Sequence, residues 1–361
     1  MRRVPITLSF TIAALAGIAS PPIASAQSSR VDVSLVVRAI VEAAVAVNID
    51  VAADVQTPGA GQRREIRYPF EREDKQTRTI ALGPSGSLDL RNLSGRITVT
   101  GGTGREVSMT IVKHARGRTE ADAALGLKEV TVEVSHQGTL ASVETRYPER
   151  NRNESTYSVS VTYDVTAPAG TSVSIHNLSG DVAIRNITGD LAVDLASGNI
   201  DIAQASRISK AKVLSGNITL SDIKSTTPID AESVSGDVRV ERAQTPRLAM
   251  STISGNLTAT DVTVEQATLA TTSGSIGYSG PLARTGRYEL QSHSGDVTLT
   301  VVGTAGFDLT ARTFSGRVRP DANLGLKTRL VERREVRGTA GDGGASVRTT
   351  TFSGDVVIVR K

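Results

Sequence analysis

The chain has 361 residues, of which 41 are basic and 37 acidic, so its formal net charge of +4 is small for its length. So small an excess of positive charge does not indicate a nucleic-acid-binding protein. The chain has no cysteine, which excludes disulfide bonds, thiolate metal sites and lipid attachment through a cysteine.

Residues 1–26 are typical of a secretory signal peptide. Two arginines precede an apolar stretch, and the small residues Ala24, Ser25 and Ala26 form a cleavage site. The alternative is a membrane anchor, which needs about 20 apolar residues, and the stretch is shorter than that. We therefore expect an exported protein, periplasmic or secreted to the cell surface, with no integral membrane span in the mature chain.

Residues 27–62 are interpreted as an N-terminal segment and linker. The run from Val31 to Val55 is rich in valine and alanine but carries several charges, which favours an amphipathic helix or a loosely ordered segment over a membrane span. Residues 56–62 read QTPGAGQ, a composition typical of a linker. A β-rich body is expected from residue 63.

Residues 63–170 predict strands interrupted by one short helix. Two glycines nine residues apart, Gly86 and Gly95, introduce alternating apolar positions, as in the first coil of a repeat. Residues 119–128 predict the helix, because Thr119 can serve as its N-cap and Asp122 stands at the capping-box position. Residues 146–155 are polar and predict a surface loop.

Residues 171–361 repeat the phrase apolar-Ser-Gly-Asp/Asn-apolar-x-apolar. From Gly180 the motif glycines stand 9, 9, 18, 20, 19, 19, 21, 21 and 38 residues apart, which indicates coils of about 18–21 residues with an early half-period. This pattern predicts an all-β fold, a parallel β-solenoid of the β-helix type. Eight coils from Gly180 to Gly354 would span about 40 Å.

Alternation within a coil predicts which side chains face inward. Val238 and Val240 are expected inside and Arg239 outside. The motif glycine is expected at a corner that needs positive φ, and the polar residue after it is expected to hydrogen-bond the backbone at the bend. That polar column is Asp181, Asp190, Asn199, Asn217, Asp237, Asn256, Ser275, Asp296, Arg317 and Asp355.

An insertion over residues 320–347 interrupts the last interval. Residues 332–345 are charged and show no alternation, which predicts a loop or hairpin protruding from the last coil. Arg333, Arg334 and Arg337 are expected to be exposed, either as a basic contact patch or as part of a solvated insertion.

Three segments carry a family resemblance: residues 88–99 (LDLRNLSGRITV), residues 161–184 (VTYDVTAPAGTSVSIHNLSGDVAI) and the Ser-Gly-Asp/Asn coils. Together they resemble the bacterial exported "putative adhesin" family, which is built on a domain of unknown function. The resemblance covers roughly residues 79–361. It implies a parallel β-solenoid in the cell envelope and carries over no catalytic residue.

The polar column has two candidate functions, calcium binding and polysaccharide cleavage. Stacked carboxylates are hard oxygen ligands for calcium, but Asn, Ser and Arg interrupt the column, and a corner ladder is the better interpretation. Parallel β-helix enzymes that cleave polysaccharides also use carboxylates, yet no group of acids with a basic partner is concentrated on one predicted face.

The histidines and serines are candidates for metal-ligand and catalytic roles. No histidine pair has metal-ligand spacing. His293 shares its column with Leu178, Phe314 and Phe352, so a corner packing role is the better interpretation. The many serines have no His or Asp beside them by sequence spacing, which favours turn chemistry.

Aromatic residues are scarce, since the chain has no tryptophan, six tyrosines and five phenylalanines. Tyr147, Tyr157 and Tyr163 form one loose group before the repeats and are interpreted as strand residues rather than as a glycan platform.

The sequence thus predicts a non-enzymatic exported cell-envelope protein, an adhesin-like binding or scaffold protein that displays a repetitive polar surface to a protein or glycan partner. Two alternatives stay open: a periplasmic envelope-stress accessory or scaffold protein, and a β-helix enzyme active on polysaccharides. No catalytic, cofactor-binding or metal residue is predicted, no cofactor is implied, and binding residues are not identified.

Overall fold

The computed structural model describes residues 68–148 and 156–361, which lie within a compact unit from Glu65 to Lys361. The predictions for residues 1–26 and 27–62, including the run from Val31 to Val55, lie outside the described residues. So does most of the loop predicted at 146–155. No helix in the described ranges is long and apolar enough to cross a membrane.

The described chain is all-β with one α-helix, and its strands form a single hydrogen-bonded sheet. Its helical elements are α1 (Glu120–Glu129) and a 3-10 turn (Ala322–Leu324). The strands are β1 (Phe70–Ala81), β2 (Ser87–Ser94), β3 (Ile97–Gly102), β4 (Glu106–Gly117), β5 (Thr131–Gln137), β6 (Leu140–Arg146), β7 (Tyr157–Pro168), β8 (Ser172–Ser179), β9 (Val182–Arg185), β10 (Asp190–Ser197), β11 (Ile200–Ala203), β12 (Arg207–Ser215), β13 (Ile218–Lys224), β14 (Ile229–Ser235), β15 (Val238–Ser254), β16 (Leu257–Thr260), β17 (Thr263–Ser273), β18 (Ile276–Gly280), β19 (Leu282–Ser294), β20 (Val297–Val301), β21 (Phe307–Ser315), β22 (Val318–Pro320), β23 (Leu326–Val331), β24 (Glu335–Ala340), β25 (Ala345–Ser353) and β26 (Val356–Arg360).

Parallel pairing organises the strands into two ladders that meet at the Ser-Gly motif. Ladder A holds the strands that precede the motif, in the spatial order β6, β2, β8, β10, β12, β14, the second half of β15, β17, β19, β25 and β21. Ladder B holds the strands that follow it, in the order β7, β3, β9, β11, β13, the first half of β15, β16, β18, β20, β26 and β22. Partners in register are about one sequence period apart, as in Ile200 with Ile218 and Val238 with Leu257.

The predicted inward and outward faces are confirmed. Val238 and Val240 are fully buried, whereas Arg239 between them is exposed. The same alternation recurs from strand to strand, so the inward side chains of both ladders form one continuous apolar cluster. Because successive coils stack in register, each buried side chain lies over its counterpart in the next coil.

Antiparallel strands close the N-terminal end of the stack. β4 pairs antiparallel with both β1 and β7, and β5 pairs antiparallel with β6. Helix α1 lies beside them with the predicted cap, since the Thr119 hydroxyl accepts the Asp122 N–H and the Asp122 carboxylate accepts the Thr119 N–H. The buried Lys113 ammonium donates to the carbonyls of Leu127 and Val130, which suits a cation at a helix C-terminus.

The order of the last coils differs from the sequence order. Strands β25 and β26 lie between the coil of β19 and β20 and the coil of β21 and β22. The coil that ends the chain is therefore internal, and β21 with β22 forms the terminal coil. The sequence period does not specify this order, because successive coils share the same motif and nearly the same length.

Of the two alternatives predicted for the insertion over residues 320–347, the structure has the hairpin, but this hairpin pairs with the sheet and does not protrude. Its strands β23 and β24 form an antiparallel hairpin, and β24 pairs antiparallel with β21 along the end of ladder A. β24 alternates between buried and exposed positions, whereas its sequence was interpreted as showing no alternation. The insertion therefore covers an open strand edge, which would otherwise be free to pair with other chains.

The nine-residue spacing of the first glycines, interpreted from the sequence as an early half-period of the repeat, also needs correction. Gly189 does not have positive φ and lies next to Thr171, at the opposite end of ladder A from the Ser-Gly corner. Gly86 lies at the same end, since Ser87 pairs with Ser172. The nine-residue spacing therefore measures the distance between two corners of one coil.

Candidate functional site

The Ser-Gly corner requires glycine at every coil. Gly255 has a φ of +153°, and a Cβ added to it would lie 2.1 Å from the carbonyl oxygen of Gly236 in the neighbouring coil. Its N–H donates to the carbonyl of Ser273 on the opposite side. Positive φ recurs, in spatial order, at Gly95, Gly180, Gly198, Gly216, Gly236, Gly255, Gly274, Gly295, Gly354 and Gly316; an added Cβ would meet a neighbouring glycine carbonyl at each of them except Gly95, where it would meet the carbonyl of Val161. Ten coils thus stack through direct contact between glycine backbones.

The residue after each glycine builds the predicted corner ladder. The Asn256 N–H donates to Asp237 Oδ1 at 2.7 Å, and the Ser275 N–H donates to Asn256 Oδ1 at 2.9 Å. The ladder continues to the terminal coil, where the Arg317 N–H donates to Asp355 Oδ1. Asp190 is not part of it, because it begins β10 at the other corner. Within the described residues, no group of three or more His, Asp or Glu side chains could hold a metal ion.

A second ladder runs inside the corner, three residues before the glycine, in eight of the ten coils; Leu195 and Val213 interrupt it. The buried hydroxyls of Thr252 and Ser292 donate to the carbonyls of Gly236 and Gly274 in the neighbouring coil. Thr313 makes the same bond to Gly354 in the terminal coil. Each bond satisfies a turn carbonyl that no strand pairing reaches, so the corner is fixed from both sides.

Apolar side chains stand outside the corner, two residues before each glycine. We call this column the corner spine. Leu178 is 51% exposed and Phe314 is 63% exposed. The spine comprises, in spatial order, Leu93, Leu178, Ala196, Leu214, Val234, Ile253, Thr272, His293, Phe352 and Phe314. These side chains lie on the solvent side of the corner, on the outward step of the alternation, where their apolar residue types did not indicate exposure.

Three rings stack at one end of the spine. The ring centroids of His293 and Phe352 are 4.9 Å apart, and those of Phe352 and Phe314 are 4.7 Å apart, with nearly parallel planes. His293 therefore packs at the corner as predicted, against a ring, but on the exposed side.

A shallow groove of about 460 Å³ runs beside the other end of the spine. Leu178, Leu195, Ala196 and Leu214 form its apolar part, and the rim is polar with Arg91, His176, Asp194 and Lys212. Its rim alternates in charge across neighbouring strands, which is typical of a stabilised outer β-face.

Ser174, His176 and Asp194 form a constellation that the sequence did not predict. Ser174 Oγ lies 3.3 Å from His176 Nε2, and His176 Nδ1 lies 3.5 Å from an Asp194 carboxylate oxygen. The three residues meet because Asp194 is in register with His176 on the adjacent strand.

This constellation lacks the other parts of a nucleophilic site. Asp194 also pairs with Lys210, and His176 is exposed. Strand β8 is paired on both sides, so its N–H groups are engaged in the ladders and cannot form an oxyanion hole. The geometry favours a cross-strand polar ladder.

A second groove, of about 660 Å³, lies on the outer face of β1, β4 and β7. Ion pairs cross its floor, including Arg116 with Glu71 at 2.9 Å and His114 with Glu73 at 3.6 Å. Because its charges are mutually paired, this groove offers little free charge to a ligand.

Two of the three tyrosines are strand residues, as predicted. Tyr157 and Tyr163 are buried in β7, and burial raises the pKa of Tyr163 to about 12. Tyr147 follows the end of β6 and is half-buried, so it is not a strand residue. The three do not form an exposed aromatic platform.

Comparisons with known proteins return a family model and several solved structures. No curated protein matches the chain. A "putative adhesin" from Parabacteroides distasonis is 10% identical, with 80% of this chain and 97% of that chain covered and a TM-score of 0.42. A "putative adhesin" from Bacteroides fragilis is 12% identical over the same shares, with a TM-score of 0.37. A "putative lipid binding protein" from Parabacteroides distasonis is 11% identical over the same shares, with a TM-score of 0.36. The model of the Toastrack DUF4097 family matches residues 86–359, so the chain belongs to that family.

Proposed function

We propose that this protein is a non-enzymatic, exported binding or scaffold protein of the cell envelope, and that its two ladders are the faces of a β-solenoid. The observation that carries the proposal is the corner spine. It displays an apolar side chain in eight of ten coils on an otherwise polar surface.

The length of the spine supports a binding role. Ten coils at a spacing of about 4.8 Å give a straight line of about 43 Å. Scattered exposed apolar residues need no explanation, but an apolar column that runs unbroken through six coils, from Leu93 to Ile253, is typical of an interaction surface. The glycine contacts and the ladders on both sides of the corner fix the regular spacing of the spine side chains.

The rigidity of the corner suits display rather than catalysis. From the coil of Gly216 to the coil of Gly316, each coil is tied to the next by a glycine contact, an outer side-chain bond and an inner hydroxyl bond, as at Gly236, Asp237 and Thr252. A ligand bound along the spine would therefore meet a preorganised surface and would lose little free energy to ordering of the protein.

Export rests on the signal peptide predicted at residues 1–26. The periplasmic accessory alternative differs from the surface alternative only in which side of the outer envelope the protein occupies. The β-helix enzyme alternative would require turnover of a polysaccharide, which purified protein can be assayed for directly.

Cell fractionation tests the proposal. Wild-type protein is expected in the envelope fraction, and protease added to intact or permeabilised cells then assigns its side of the envelope. The double variant Leu178→Ser/Leu214→Ser is expected to be released from that fraction. Leu140→Ser is the matched control, because Leu140 is 48% exposed but lies away from the corner. Recovery of wild type in the cytoplasm, or equal retention of the two variants, would refute the proposal.

A further inference from the structure

The terminal coil ends the spine in a cluster of aromatic and basic side chains. Phe314 is 63% exposed, more than Leu178. Arg317 takes the place that Asp, Asn or Ser occupies in most other coils. Arg333 and Arg334 lie in the turn between β23 and β24 and are exposed.

Backbone hydrogen bonds hold that turn against the corner. The Thr313 N–H donates to the Arg334 carbonyl at 2.9 Å, and the Val318 N–H donates to the Arg333 carbonyl at 3.0 Å. Thr313 and Val318 flank the segment from Phe314 to Arg317 on either side. The insertion therefore brings two arginines beside an exposed ring and a third arginine. We call these four residues the terminal corner.

The charges of the terminal corner are not neutralised locally. Nearby Arg312 pairs with Glu335, and Arg319 pairs with Asp355. Among the described residues, no carboxylate forms an ion pair with Arg317, Arg333 or Arg334. The wider region is basic too, since residues 307–361 hold 11 basic and 6 acidic residues, whereas residues 1–306 hold 30 and 31.

We infer that the terminal corner docks the protein onto an anionic phospholipid surface. Exposed aromatic rings beside arginines are suited to a membrane interface, where the ring enters the headgroup boundary and the guanidinium groups meet lipid phosphates. Cationic side chains are drawn to such a surface by its negative potential. The stacked Phe352 ring supports Phe314 from behind.

Charge and composition favour this occupant over two others. A second copy of the chain meeting the same corner across a two-fold axis would place arginine against arginine. A soluble polyanion would satisfy the arginines but would leave the Phe314 ring without a role. The inference rests on the proposed envelope location, since an exported protein meets lipid surfaces.

Vesicle co-sedimentation tests the inference with the purified exported chain. Vesicles of phosphatidylcholine with phosphatidylglycerol are compared with vesicles of phosphatidylcholine alone, at low and high salt. Wild type is expected to bind only the anionic vesicles, and more weakly at high salt. Since each arginine near such a surface strengthens binding about fivefold, Arg333→Gln/Arg334→Gln should raise the half-saturating lipid concentration about 25-fold.

Two more variants separate the contribution of the Phe314 ring to vesicle binding from that of the arginine charges. Phe314→Ser should also weaken binding, by at least about fivefold, while the thermal midpoint confirms that it folds. Arg284→Gln/Arg287→Gln is the charge-matched control near the far end of β19 and should change binding less than twofold, within the scatter of a surface change.

Three results would overturn the inference: equal binding to neutral vesicles, no binding to either, or equal loss in the control pair. Self-association that Phe314→Ser abolishes would assign the corner to a second copy. Binding of soluble polyanion that ignores Phe314→Ser would assign it to that ligand. The cell-fractionation result for the Leu178→Ser/Leu214→Ser variant tests the proposed function independently of each of these outcomes.

Discussion

The ring of Phe352 stacks on the ring of Phe314 with centroids 4.7 Å apart, although 38 residues of chain separate them. The other face of Phe352 lies against His293, in the coil that precedes Phe314 along the chain. The last segment of the chain is therefore enclosed between two coils that precede it. The coil of Phe314 therefore joins the stack only through the coil of Phe352.

Engineered cysteines can test this order directly, because the chain has none of its own. Ser294 is in register with Ser353, and Ser353 with Ser315. Ser294→Cys/Ser353→Cys should therefore form a disulfide on oxidation. Ser294→Cys/Ser315→Cys should not, because a strand separates the two positions by about 9.6 Å, two strand spacings. The reverse outcome, measured by non-reducing electrophoresis and peptide mass, would restore stacking in chain order.

Substitution of a corner glycine should be costly. Gly255→Ala would place a Cβ 2.1 Å from the Gly236 oxygen and force alanine into a φ of +153°. We expect a loss of at least about 2 kcal/mol in the free energy of unfolding, measured by denaturant titration. Gly277→Ala is the control, since its Cβ would meet nothing within 4 Å. Comparable losses in both variants would mean that the glycine contact is not what constrains the corner.

The two faces of one strand should respond very differently to the same acidic side chain. Val238→Asp buries a carboxylate without a partner and should cost more than about 4 kcal/mol, enough to unfold part of the stack. Arg239→Asp, one residue away on the exposed face, should cost less than about 1 kcal/mol. Circular dichroism with urea titration measures both, and equal tolerance would show that the faces are assigned the wrong way round.

Two aspartates should give opposite pH signatures. Burial and the neighbouring Glu232 carboxylate raise the pKa of Asp230, so its ionised form opposes folding. Asp230→Asn should therefore stabilise the protein at pH 7, by less than about 1 kcal/mol. The gain should shrink as the pH falls through the raised pKa and vanish below about 4, where the unfolded aspartate is also protonated.

Asp222 supplies the contrast, because the hydrogen bonds from Arg242 lower its pKa. Its contribution to stability is present above the unfolded pKa and is lost as the pH falls through the folded value. Asp222→Asn should thus destabilise at pH 7 and approach wild type in acid. Unfolding titrations from pH 3 to 8 measure both variants, and the same sign in both would contradict the assigned causes.

Much of the coil could be predicted from residue types alone. The alternation around Val238 placed its inward face correctly, and the glycines with their Asp and Asn neighbours identified the corner and its ladder, because both depend on local backbone geometry. The Thr119 cap of α1 was also predictable, since a capping box needs only two residues three apart. The corner spine was not, because Ile253 and its counterparts occupy an outward position of the strand with an apolar residue type, which does not indicate exposure.

The sequence by itself determined the all-β class, the coil length of about 18–21 residues and the identity of the inward faces, since each follows from a local period of two or about twenty. Only the tertiary structure decided that the coil of Phe352 lies inside that of Phe314, that the insertion forms an edge-covering hairpin, and that three arginines surround one exposed ring. All three depend on which strand edges pair. Every coil offers nearly the same edge, so the choice is made by packing at long range rather than by local sequence.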